Sequence, residues 1–130
     1  MNEMQKRLQE FIEKSDAPYE WGVSDCSTWP AQWLSEEFGV KVDIPEYGSK
    51  EEAHRLIDKA GDLCSIWRPL ARDAGLLRVH HPDAGDVGIV QFRSYQVGVI
   101  FVSDRIAYWR AEKGAIAIDG LAALVCAWRA

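Results

Sequence analysis

The spacing of apolar residues changes once along this chain, at Gly75 and Leu76, and that change restricts the fold more than any other feature. Before it, apolar side chains recur every three or four residues, the spacing of helices that bury one face. After it, they gather in runs of four to seven residues separated by small or polar ones, the pattern of strands joined by tight turns. Helices first and consecutive strands afterwards predict an α+β domain in which N-terminal helices pack on a C-terminal antiparallel β-sheet. At 130 residues the chain is long enough for one hydrophobic core and short for two. It reads as a single domain over 1–130, with a helical half about 1–75 and a sheet half about 76–130.

In the helical half, Met4, Leu8, Phe11 and Ile12 mark an amphipathic first helix that ends before Ala17-Pro18. Trp29, Trp33, Leu34 and Phe38 mark a central helix, and Gly39 is placed to close it with a left-handed residue. Ser49 and Glu52 have the spacing of a capping box ahead of a third helix through Ala53, Leu56, Ile57 and Ala60, which Gly61 would end. Leu63, Ile66, Trp67, Leu70 and Ala74 keep the helical period, but Pro69 lacks a backbone donor and predicts two short pieces before Gly75. In the second half the expected strands are Leu76 to Val79, Val87 to Phe92, Gln96 to Val102, Arg105 to Arg110, Ala115 to Ile118 and Leu124 to Arg129.

Composition removes several classes of function. Hydrophobic residues at 48% and charged residues at 27% are globular values, which exclude a disordered or low-complexity chain. Twenty acidic against fifteen basic residues, a net charge of -5, argue against a broad surface for nucleic acid. No apolar run approaches the roughly 20 residues that cross a bilayer, so no membrane insertion is expected. The first ten residues carry Glu3, Lys6, Arg7 and Glu10, unlike a secretory signal, and predict synthesis in the cytoplasm. Cys26, Cys64 and Cys126 are odd in number, widely spaced and without a C-x-x-C pair, so each is read singly, with no disulfide, metal site or cofactor expected.

Cys26 carries the strongest chemical signal. It lies in Tyr19-Glu20-Trp21-Gly22-Val23-Ser24-Asp25-Cys26-Ser27, at the entry to the central helix, where unpaired N–H groups and the helix dipole favour a thiolate. The competing reading is a small buried residue at a helix start, the commoner fate of an intracellular cysteine. Pro30 argues for an irregular first turn: either regular helix begins near Thr28 or Trp29, or Cys26 sits on a distorted turn.

Trp21-Gly22 followed by Asp25-Cys26-Ser27 resembles the nucleophile motif of NlpC-type cysteine peptidases, a papain-like superfamily. Gly85-Asp86-Val87-Gly88-Ile89-Val90 resembles the glycine-aspartate strand of that family, and Val97-Gly98-Val99-Ile100 resembles the strand that follows it. The likeness spans roughly the whole chain, and the Trp-Gly-x-x-Asp-Cys element, the Ala53 to Gly61 helix and Ala127-Trp128-Arg129 look like small NlpC-like proteins of bacteriophage tail genes. The resemblance implies an NlpC/papain-like fold, with Cys26 at the nucleophile position, Gln96 at the position of the family base and Tyr108 at that of the third polar residue. Glutamine cannot take a proton from a thiol, and tyrosine, with an ordinary pKa near 10, is a poor substitute.

Two loop histidines, His80 and His81, are the alternative bases, while His54 among Glu51, Glu52 and Arg55 reads as a helix surface residue. Asp25 and Asp86 read as hydrogen-bond acceptors at a helix start and a strand start, and Gly88 and Gly98 as points of close approach. Most of the six tryptophans read as core; Trp109, between Tyr108 and Arg110, has the composition of an interface anchor. The resemblance implies a phage or prophage tail-associated protein, made in the bacterial cytoplasm and carried in the virion tail if incorporated. It would be catalytically degenerate and bind other tail proteins of the tip or hub. The alternatives are an active cysteine hydrolase cleaving peptidoglycan stem peptides through Cys26, and a module that only binds peptidoglycan.

Overall fold

The computed structural model describes residues 1–15, 25, 27–111 and 114–130. Four helices, α1 (Glu3–Glu13), α2 (Thr28–Phe38), α3 (Lys50–Ala60) and α4 (Leu63–Asp73), precede six strands. The strands are β1 (Leu77–Val79), β2 (Val87–Phe92), β3 (Tyr95–Phe101), β4 (Ile106–Ala111), β5 (Gly114–Asp119) and β6 (Leu124–Arg129). They form one antiparallel sheet in the order β1-β6-β2-β3-β4-β5. The expected α+β order therefore holds across the described residues.

Each helix is bounded by the chemistry its sequence supplies. Asn2 and Gln5 exchange side-chain and backbone hydrogen bonds at the start of α1. Gly39 ends α2 at φ 65°, the left-handed conformation that costs a residue without Cβ least. Because α2 begins at Thr28, Pro30 falls in its first turn, where a missing donor is harmless. At α3 the Ser49 hydroxyl accepts from Glu52 N, while the Glu52 carboxylate accepts from Gly48 N, one residue earlier than a capping box requires.

Pro69 does not divide α4, contrary to the sequence expectation: the helix runs unbroken from Leu63 to Asp73. Pro69 is exposed, whereas Leu63, Cys64, Trp67 and Ala71 on the other face are buried. An interior proline costs about 3 kcal/mol. Burial of large apolar side chains at about 1.5–3 kcal/mol each is enough to hold the helix through it.

The helices cover one face of the sheet. Phe11 lies 5.6 Å from both Trp29 and Trp33, and a two-point ion pair from Arg7 to Glu37 (2.7 and 2.6 Å) fastens α1 to α2. Trp67 stacks on Trp128 of β6 at 5.8 Å and joins α4 to the sheet. Val90, Val97, Val99, Phe101 and Ala107 form a second core on the face away from the helices. That core is covered by curling the sheet. Four strand spacings separate β5 from β6, roughly 19 Å if flat, yet residues 120–123 join them, a reach of about 17 Å even fully extended. Gly120 consequently lies against Ala107 and Phe101, where an added Cβ would be 2.7–2.8 Å from their side chains. Gly88 is similarly close to Cys126 O and Phe101, as its place in a strand suggested.

Trp109 and Arg110 face opposite sides of β4, as neighbours on a strand do, so they form no shared anchor. Trp109 packs on Phe92 at 5.1 Å, and Arg110 is 1% exposed. The reading of the cysteines as single residues also needs correction, because Cys64 and Cys126 are joined in a disulfide between α4 and β6. Their separation of 62 residues left no local spacing to reveal the pairing. Alkylation of the unfolded protein, followed by mass spectrometry, should modify one cysteine before reduction and three after it.

Candidate functional site

The entry to α2 is organised by a buried carboxylate. Asp25 is 0% exposed, and its Oδ1 accepts from Ser27 N at 2.9 Å, Thr28 N at 3.0 Å and Thr28 Oγ1 at 3.3 Å. Its Oδ2 accepts from the Tyr47 hydroxyl at 2.6 Å. Asp25 N in turn donates to Thr28 Oγ1 at 3.0 Å, and Trp29 N donates to Asp25 O at 2.9 Å, so helical bonding starts here. A carboxylate with this many donors is a structural acceptor for the first turn, as the sequence suggested. Trp67 Nε1 donates to Ser27 Oγ at 3.1 Å and draws α4 against the same turn. Cys26 itself, with Trp21 and Gly22 of the same motif, lies outside the described residues.

Gln96, at the start of β3, reaches the beginning of α4. Its Oε1 accepts from Cys64 N at 3.0 Å and its Nε2 donates to Asp62 Oδ2 at 3.5 Å. Asp62 Oδ1 accepts from Ser65 N at 2.8 Å, so Gln96 and Asp62 satisfy two successive donors that the first turn of α4 would leave unpaired. Both ends of the amide are thus used in holding a helix on the sheet. Asp25, Ser27, Tyr47, Leu63 and Gln96 line one narrow cleft of about 50 Å³, whose remaining walls are apolar side chains from α3, α4 and the loop before α3. That volume is about one or two water molecules, far below a ligand pocket of 300 Å³ or more.

The other site candidates lie elsewhere. Tyr108 shares the helix-facing side of the sheet with Gln96 but pairs with Ile100, four residues along β3, roughly 13 Å away. Arg110 is two residues nearer on the same side, with its guanidinium donating to the carbonyls of Ala111 and Gly114. His80 and His81 are exposed just beyond β1, three strand spacings or about 14 Å from β3. His54 is exposed on α3. No histidine lines the cleft among the described residues, and no group of three or more His, Cys, Asp or Glu side chains there could hold a metal.

Gly85 and Asp86 form a joint between the layers. The Gly85 carbonyl accepts from Trp33 Nε1 at 2.9 Å, and its N–H donates to Phe101 O at 2.9 Å. Gly85 has φ 91°, and a Cβ there would lie 3.0 Å from Met4 Sδ. Asp86 accepts from Asp83 N at 2.8 Å and from Arg129 through Nε and Nη2, at 3.1 and 2.8 Å. Hydrogen bonding to Asp86 raises the Arg129 pKa above its ordinary value.

The domain family described as "Domain of unknown function (DUF6950)" matches residues 1–130. The chain belongs to the DUF6950 family. No curated protein matches it. No described helix of this DUF6950 chain is long and apolar enough to cross a membrane.

Sequence reading located Asp25, Gln96 and the glycine-aspartate pair but missed Asp62 and Tyr47. Asp62 had a usable signal, since an aspartate immediately after the helix-ending Gly61 and three residues before Ser65 is a helix-start pattern. Tyr47 sits in an irregular segment and had none.

Asp62 gives this site a pH dependence. Its pKa is lowered, first by the side-chain hydrogen bond with Ser65 and then by the Ser65 backbone N–H, with Gln96 also contributing. A lowered folded-state value means the stabilisation is complete above the unfolded value and is lost as pH falls through the folded one. Urea midpoints should therefore decline below about pH 4, and less steeply in Asp62→Asn than in the unaltered protein. Gln96→Ala, which leaves Cys64 N unpaired, should cost about 1–3 kcal/mol in the same assay at neutral pH.

Proposed function

We propose that this chain is a catalytically degenerate NlpC-like domain, retained as a protein-interaction component associated with a bacteriophage or prophage tail. The observation that carries the loss of catalysis is the use of Gln96. The side chain at the position of the family base is an amide, and its oxygen and nitrogen are both committed to the start of α4. A cysteine nucleophile needs a proton acceptor within about 2.6–3.2 Å. The cleft beside Asp25 and Ser27 offers, among its described lining, only a carboxylate saturated with donors, a tyrosine hydroxyl already donating to it, a serine and that amide.

The association with tail proteins of the tip or hub rests on the likeness of Trp21-Gly22, Asp25-Cys26, the third helix and Ala127-Trp128-Arg129 to small tail-encoded NlpC-like proteins. In this reading the protein is made in the bacterial cytoplasm and enters the virion tail with its partners.

Purified protein incubated with muropeptides across pH 5 to 9 should release no product, and Cys26→Ser should leave association with neighbouring tail proteins unchanged. Cleavage that disappears in Cys26→Ala would establish the competing hydrolase reading and remove this one.

A further inference from the structure

A second concavity of the described residues lies away from the Gln96 cleft. It is a groove of about 360 Å³ between the outer face of α4 and the β1–β6 edge of the sheet. Arg68 and Arg72 project from α4 along one wall, Arg78 of β1 forms the other, and Trp128 and Leu76 lie at its base. All three arginines are exposed, and no carboxylate lines the groove among the described residues. This is a local concentration of positive charge on a chain whose net charge is -5.

The arginines are partly held in place. Arg78 lies over the Trp128 ring at 5.8 Å, Trp128 is backed by Trp67, and Arg68 Nη2 approaches Cys64 Sγ at 3.5 Å. The Arg72 Nε lies 3.6 Å from Asp73, a neighbour in an exposed pair that contributes little. Guanidinium groups held this way match carboxylates with paired hydrogen bonds. Arg68 and Arg72 are one helical turn apart, about 6 Å along α4. Alternate residues of an extended peptide are separated by about 6.6 Å and point to the same side.

We infer that the groove formed by Arg68, Arg72 and Arg78 over Trp128 is a docking site for an extended acidic segment of a partner protein, with carboxylates on alternate residues. This names the partner chemistry for the interaction role proposed above and rests on that reading. It can fail separately, because loss or retention of hydrolysis at the Gln96 cleft leaves the groove unaltered.

The test is calorimetric titration of the full chain with a capped peptide of alternating Glu and Ala, against a peptide of alternating Gln and Ala and against inorganic phosphate. The Glu peptide should bind, with affinity falling as salt rises. It should be at least about tenfold tighter than the Gln peptide, and Arg68→Glu with Arg72→Glu should weaken it by about tenfold or more. Arg78→Ala should weaken it less, and Arg68→Lys with Arg72→Lys should retain part of the affinity while circular dichroism stays unchanged. Equal affinity of the charge-reversed protein, or of the Gln peptide, would overturn the assignment. So would phosphate binding as tightly as the peptide, which marks a small-anion site. Self-association lost on charge reversal would make the occupant a second copy and would equally overturn it.

Discussion

The side chain of Gln96 does two things that a helix start requires and one thing that a catalytic base must not do. It accepts from Cys64 N, donates to Asp62, and by both bonds fixes the first turn of α4 to the head of β3. A neutral imidazole also has one donor and one acceptor, but its acceptor nitrogen would lose its use as a base once it bound a backbone N–H. In this chain the Gln96 side chain closes the seam between helix and sheet. The packing of Trp67 against Ser27 and Trp128 depends on α4 being held there.

The entry to α2 follows the same logic. Burying a carboxylate is costly unless it is surrounded by donors. Asp25 meets that condition with two backbone N–H groups, the Thr28 hydroxyl and Tyr47. The tyrosine comes from the segment between α2 and α3, so the helix start and the wall of the cleft are fixed together. Polar groups in this region satisfy one another, and the space left between them is small.

The order and type of the elements could be read from the sequence because each carries its own periodicity and its own terminator, as Gly39 and Ser49 show. What could not be read depends on neighbours distant in sequence. Pro69 argued locally for a break, but the buried face of α4 overrides a preference of about 3 kcal/mol. The bond between Cys64 and Cys126 exists only because α4 and β6 meet, and Arg68 and Arg78 become one groove wall facing another for the same reason. The candidate site was legible as residue types, with Asp25 and Gln96 in one cleft. That the Gln96 side chain cannot act as a base was legible from the amide alone. The partners that occupy that amide were not.

The four-residue link from β5 to β6 has a consequence for how this architecture can vary. Its shortness cinches the sheet shut over Phe101 and Ala107, with Gly120 as the knot. Inserted residues would slacken this drawstring and let water reach the second core, even though the insertion point lies on a surface turn. The reach of the β5–β6 turn therefore helps set the curvature of the sheet.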